Sequence, residues 1–269
     1  MTVGWQALED ELDRWASEGR TACFWWRDDD AVAATPALDR LLGLHRSSGA
    51  PLALAIIPAQ AESSLAGRLK SEPGIAALQH GYAHHNHAGP PEKKSEFPHK
   101  RSLSERLADL RTGHDRLRSL FAPGQLLPVF VPPWNRMAPD CLPVMPGLGY
   151  AAVSAFQPRV SYWAAPGLVA LNTHIDPIDW HGHDNAAAAE RSLAVSCAHL
   201  RAMRAGEQHL QPLGLLTHHL RHDETVWAFA AAFLSRTAAH AAVHWLDVGA
   251  ALKIGAPGGS VAPSVTPAS

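Results

Sequence analysis

The sequence has little net charge and no concentration of one sign. Against 23 Lys and Arg stand 25 Asp and Glu, a net of -2 at neutral pH over 269 residues. That balance offers no electrostatic footprint for nucleic acid or an anionic membrane, so neither is expected as a partner. Cysteine is equally scarce: Cys23, Cys141 and Cys197 are isolated and odd in number. With no CxxC pair, a disulfide framework and a thiolate zinc knuckle are both excluded, and a reducing, cytoplasmic setting is expected. No apolar run is long enough to span a bilayer. Residues 1–20 carry acids and place Trp5, Leu8, Leu12 and Trp15 at helical spacing, unlike the layout of a secretory signal.

The chain does have enough apolar residues for a sizeable core, 46% against 18% charged. Short β-type runs at 22–26, 52–57, 75–79, 126–131, 150–154, 168–171, 213–216 and 243–246 alternate with helical patterns. That rhythm predicts parallel strands joined by helices. The clearest helix opens at Ser102 with Glu105 three residues on, the pattern of a capping box, and Pro123-Gly124 stops it. No repeat or linker divides the chain; the Pro- and Lys-rich stretch 88–100 reads as a surface loop. The expectation is an α/β protein: one irregular (β/α) barrel of about seven strands over residues 1–254, with a Gly, Pro and Ser tail at 255–269.

Polar residues able to do chemistry follow several of these runs. Asp28-Asp29-Asp30 comes after Ala22-Cys23-Phe24-Trp25-Trp26. Adjacent carboxylates beside a buried strand repel one another, so they call for a cation or a tuned proton acceptor. His80 and His84 stand at a spacing that brings both to one side of a helical turn, a plausible pair of ligands. Pro132-Pro133-Trp134-Asn135 and His218 also end apolar runs, the position where barrels carry chemistry. Plainer readings exist for each. Three aspartates also make a solvated turn, and 17 histidines in the chain make a chance pair easy. His85 and His87 share the segment as rival ligands, and His181-Gly182-His183 more simply decorates a loop. Strand alternation allows only one of His218 and His219 to face a site.

Together these elements resemble the polysaccharide deacetylases, the NodB-homology group of carbohydrate esterases. Asp29-Asp30 matches the family's strand-ending aspartate pair, and His80-x-x-x-His84 its histidine element. Pro132-Pro133-Trp134 resembles the Pro-Pro-aromatic segment, and Asp176-Pro177-Ile178-Asp179-Trp180 the Asp-x-x-Asp-Trp element. Leu215-Leu216-Thr217-His218 resembles the late strand ending in His, and the order holds over residues 22–219. The resemblance implies a NodB-like barrel and a divalent metal, zinc being the expected ion, held by Asp30, His80 and His84. Asp29 would be the general base, His218 the acid that protonates the departing amine, and Asp179 with Trp180 would orient His218. Trp134, Asn135 and Trp180 would contact the substrate, a small molecule or oligosaccharide carrying an acylated nitrogen.

Two departures stand out. The family's Arg beside the Pro-aromatic segment is replaced by Phe130 and Val131, leaving Arg27 and Arg136 as candidates to pair with the base. The triplet also permits a second register, Asp28-Asp29. A non-catalytic ligand-binding relative, and a hydrolase of another non-peptide C–N bond, remain as alternatives.

Overall fold

The computed structural model describes residues 4–182 and 184–257. Its elements run α1 (Trp5–Ser17), β1 (Ala22–Ala31), α2 (Pro36–Ser48), β2 (Leu52–Ile56), α3 (Ser63–Leu69), β3 (Ile75–His80), α4 (Leu103–Leu120) and β4 (Leu126–Val131). They continue with β5 (Ala152–Val153), β6 (Trp163–Ala165), β7 (Leu168–Ala170), α5 (Asn185–Ala205), β8 (Leu213–Thr217), α6 (Glu224–Ala238), β9 (Val243–Trp245) and α7 (Val248–Ala251). One curled sheet holds all nine strands in the order β6-β7-β5-β4-β3-β2-β1-β8, with β9 also on β1. Every pairing is parallel except β6 with β7. This is the expected NodB-like (β/α) architecture, with nine strands where about seven are expected and with β1 running well past its apolar stretch to Ala31. Of the tail expected over 255–269, residues 258–269 lie outside the described residues, as does His183.

The sheet has two apolar faces. Phe24, Trp26, Leu54 and Ile56 pack outward against helical residues such as Leu38, Leu42 and Phe233. Trp25, Ala53, Ala55, Leu78, Val129 and Val131 fill the interior. Alternation along β1 carries this division forward, so Arg27 and Asp29 share the inward side with Trp25. The capping box forms: Glu105 N–H donates to Ser102 Oγ at 3.3 Å and Ser102 N–H to Glu105 Oε2 at 2.9 Å. It fixes the start of α4 over the sheet.

Between β7 and β8 the curl is closed by irregular chain rather than a strand. Thr173 bridges Phe156 on one side and Ile175 bridges Leu215 on the other. His174 locks this seam. Its backbone N–H donates to Gly214 O at 2.8 Å, its Nδ1 accepts from Gly214 N–H at 3.0 Å, and its Nε2 lies 3.1 Å from Gln211 Oε1. A ring that accepts at Nδ1 and donates at Nε2 is neutral. Burial, the neighbouring His199 and the charge of Arg159 push its pKa down to about 3.

Ordinary histidine titrates near 6.5, so the unfolded chain gains this proton first as the pH falls. The stability present above pH 6.5 is therefore lost progressively toward pH 3, at up to about 1.4 kcal/mol per pH unit for one such group. His222, pushed down to about 4 mainly by burial, acts with the same sign. His174→Asn, which keeps an acceptor for Gly214, should flatten the dependence of the urea midpoint on pH between 6.5 and 4. An unchanged slope would remove His174 as an acid-sensitive lock.

Candidate metal centre and its neighbours

Strand β1 runs through the aspartate triplet instead of stopping before it. Aspartate disfavours strands, yet Asp28 and Asp29 are buried within this one because each carboxylate has a partner. Thr217 Oγ1 donates to Asp28 Oδ2 at 2.7 Å, His219 N–H to the same oxygen at 3.0 Å, and His219 Nδ1 lies 2.5 Å from Asp28 Oδ1. Burial alone would raise the Asp28 pKa, but the charge and hydrogen bond of His219 outweigh it and hold the group below the usual range. With both oxygens engaged, Asp28 is turned away from the Asp28-Asp29 register.

Asp29 is gripped by Arg27 through two parallel bonds, Nε to Oδ1 at 2.8 Å and Nη2 to Oδ2 at 2.9 Å. The guanidinium is itself fixed by Ser154 O, Ser154 Oγ and Asn135 Oδ1 at 2.7–2.9 Å. Of the two candidate arginines, Arg27 is thus the one that pairs with Asp29. Arg136 does not: its guanidinium lies 3.4 Å from Lys94 O. Asn135, expected on the substrate, instead directs its amide oxygen to Arg27, because that buried cation needs an acceptor on each face.

Strict alternation would send Asp30 outward. A bulge between Asp28 and Ala31 in the pairing with β2, with Asp30 at φ 71°, re-aims it toward the end of β3. There Asp30 Oδ1 lies 3.2 Å from His80 Nε2 and 3.5 Å from His84 Nε2. The three ligand atoms fall within 4.8 Å of one another. His80 Nδ1 is 3.1 Å from Val131 O, which places its proton there and leaves Nε2 as the lone-pair donor. The two histidines do not share a helical turn. The chain bends after His80, with Gly81 at φ 58° and His84 at φ 57°. Buried Glu96 holds the bend by accepting from Tyr82 N–H at 3.1 Å and Ala83 N–H at 2.7 Å. A Cβ on Gly81 would stand 2.0 Å from Glu96 Oε2, so glycine is required for spacing as well as for φ.

The donor set fits a divalent cation. Asp30 Oδ1 is buried with no aligned donor, and the atoms nearest to it are two imidazole nitrogens. Ligands bound at about 2.1 Å to one ion stand roughly 3.0–3.4 Å apart, close to the separations observed. Electrostatics point the same way. Burial opposes charge on Asp30, but the adjoining His80, with His218 and His84, holds its pKa far below the usual range. Burial likewise opposes charge on His80, yet Asp29 and Asp30 lift its pKa. Burial and His80 keep His84 down. The cluster holds a carboxylate and attracts positive charge.

His218 lies nearby, with Nε2 4.0 Å from Asp29 Oδ2. Trp180 meets it edge to face at 4.8 Å, and Trp134 packs on His84 at 4.3 Å. Asp179 is not the partner of His218. Its carboxylate accepts from the backbone N–H groups of His181, Gly182 and Asp184 at 2.9–3.3 Å, and these bonds hold its pKa down. Three free loop donors two to five residues away satisfy it locally. Asp176 takes the inner position: it accepts from Trp180 Nε1 at 2.8 Å and Ile178 N–H at 3.0 Å, burial raises its pKa, and the charge of His218 partly offsets that rise.

No protein-family model matches the chain, and no curated protein is similar to it in sequence. Solved structures are. A protein from Mycobacterium smegmatis assigned to the polysaccharide deacetylases superposes with a TM-score of 0.56 at 17% identity, over 80% of this chain and 75% of its own. A mutant of the peptidoglycan deacetylase PdaC from Bacillus subtilis gives 0.54 at 12% identity, over 86% and 89%. A family 4 carbohydrate esterase from Streptomyces lividans, in complex with acetate, gives 0.51 at 15%, over 82% and 92%. The fold is that of the NodB-like deacetylases.

Removing one partner from a buried ion pair strands the other, at a cost of about 3–5 kcal/mol. Arg27→Met should lower stability by that order in denaturant unfolding, and adding Asp29→Leu should recover part of it. A double variant no more stable than Arg27→Met would contradict the pairing.

Proposed function

We propose that the protein is a metal-dependent hydrolase that removes an acetyl or similar acyl group from an amide nitrogen of a sugar or sugar-like substrate. The observation that carries this reading is the separation of duties between adjacent aspartates. Asp30 converges with two imidazole nitrogens, whereas Asp29 beside it is held by Arg27 and left facing His218. Neighbours of the same fold that include a peptidoglycan deacetylase and a carbohydrate esterase support the choice of sugar amides.

Asp30, His80 and His84 would hold the ion; one oxygen and two nitrogen donors suit zinc, which is the metal proposed. When bound, such an ion polarises an acyl carbonyl and makes water more acidic. Asp29 takes the proton from the attacking water, and the Arg27 fork keeps its carboxylate oriented for that step. His218 delivers a proton to the departing nitrogen. Asp176 holds Trp180 against His218, and Trp134 and Trp180 form apolar walls for a sugar face. The binding-only alternative drew on the missing family arginine, and Arg27 removes that support. Three free cysteines favour a cytoplasmic location.

Purified protein should carry about one divalent ion per chain, lost in His80→Ala/His84→Ala. Asp29→Asn should keep the ion and lose turnover, whereas Asp30→Ala should lose both. Metal analysis alongside acetate release from N-acetylated sugars separates these outcomes. The reverse pattern, with metal lost in Asp29→Asn and kept in Asp30→Ala, would overturn the assignment.

His218→Ala should lower kcat by roughly 100-fold or more with metal retained. Undiminished turnover in that variant would remove His218 as the acid. A metal-loaded protein inert toward N-acetyl, N-formyl and cyclic amides alike would favour the binding-only reading.

A further inference from the structure

With Arg27 paired to Asp29, Arg136 has no task inside the site. It is exposed, and it follows directly on Trp134, which packs on His84, and Asn135, which receives Arg27. The 88–100 loop is tied to the same place. Arg136 Nη1 lies 3.4 Å from Lys94 O, Ser95 Oγ donates to Arg136 O at 3.2 Å, and Ala138 N–H donates to Phe97 O at 2.8 Å. Lys93 and Lys94 are exposed on this loop. On the His218 side, Arg221 N–H donates to His218 O at 2.7 Å and its side chain is exposed.

Among the described residues no carboxylate pairs with Lys93, Lys94, Arg136 or Arg221. The acids of these segments are otherwise placed. Glu96 is buried under the His80–His84 bend, Asp223 caps α6 and accepts from Asn185, Glu224 pairs with Arg40, and Glu92 is the exposed acid of the 88–100 loop. Lys93, Lys94, Arg136 and Arg221 are thus exposed cations, against exposed Glu92, on segments that carry or adjoin Trp134 and His218. Cations at the mouth of a cleft raise the local concentration of anions and select against neutral or cationic ligands.

Resting on the deacetylase reading, we propose that the substrate is anionic: an acylated amino sugar bearing a carboxylate or phosphate near its acyl group, bound by Arg136 and Lys94. A planar guanidinium suits either oxyanion in bidentate fashion, and Lys94 adds a point charge beside it.

The test is equilibrium binding by calorimetry to the full-length protein with its metal. N-acetylmuramic acid and N-acetylglucosamine 6-phosphate probe the two anion types, and N-acetylglucosamine is the neutral reference. At least one acidic sugar should bind about five- to tenfold more tightly than the neutral one, as expected from one or two exposed charge contacts. Arg136→Gln should reduce that preference about fivefold, with less than a twofold change for the neutral sugar. Lys94→Gln should act in the same direction, and high salt should erode the preference. Equal affinity for all three sugars, equal weakening of acidic and neutral sugars in Arg136→Gln, or no binding of either acidic sugar would each overturn the proposal. Preferential binding of an acidic sugar that releases no acetate would instead leave this proposal standing and defeat the deacetylase reading.

Discussion

The site depends on keeping three consecutive carboxylates charged and apart inside a strand. Each is given a different counterpart from a different part of the barrel. Asp28 faces His219 and Thr217 at the end of β8, Asp29 faces Arg27 two residues earlier on its own strand, and Asp30 faces His80 and His84 beyond β3. Buried like charges without such partners would force protons onto one another. The bulge at Asp30 is what makes three directions available from three successive residues, since a regular strand offers only two.

Much of this geometry was legible in the sequence because it is encoded by local adjacency. The Asp29-Asp30 pair, Ser102 with Glu105 and the apolar runs of the central strands describe short stretches whose geometry follows from neighbours, whereas His80 and His84 converge through the bend after His80 rather than the helical turn their spacing suggests. Partnerships across the sheet were less legible. Whether Arg27 or Arg136 meets Asp29 turns on the face each occupies, and β1 looked too short to place Arg27 on the inward side until the aspartates proved part of it. The choice between Asp176 and Asp179 was set by three backbone N–H groups of a loop, which carry no sequence signature. Helices α5 and α6 are rich in alanine, so their apolar stripe contrasts weakly with the rest of the helix and they escaped notice. Glu96 was hidden because a buried glutamate inside a Lys- and Pro-rich loop looks like one more surface charge.

The irregular seam beside β8 has a double part. The segment from Thr173 to Ile175 closes the sheet where no strand does, and Asp176 follows immediately. Asp176 braces Trp180, and Trp180 abuts His218. The stretch of backbone that closes the sheet is thus the one that leads to the contact with His218. A change that loosens the seam reaches His218 through two packed contacts, with no change at the metal ligands.

Placing the arginine on the same strand as Asp29 has a mechanical consequence. Arg27 and Asp29 are two residues apart on a central strand paired on both edges, so their geometry is set by the most rigid element of the fold. In an arrangement where the arginine comes from the Pro-aromatic loop, that loop must stay fixed to keep the base oriented. Here the Trp134–Arg136 segment contributes only Asn135 to the anchor, and the side chain of Arg136 is left at the surface.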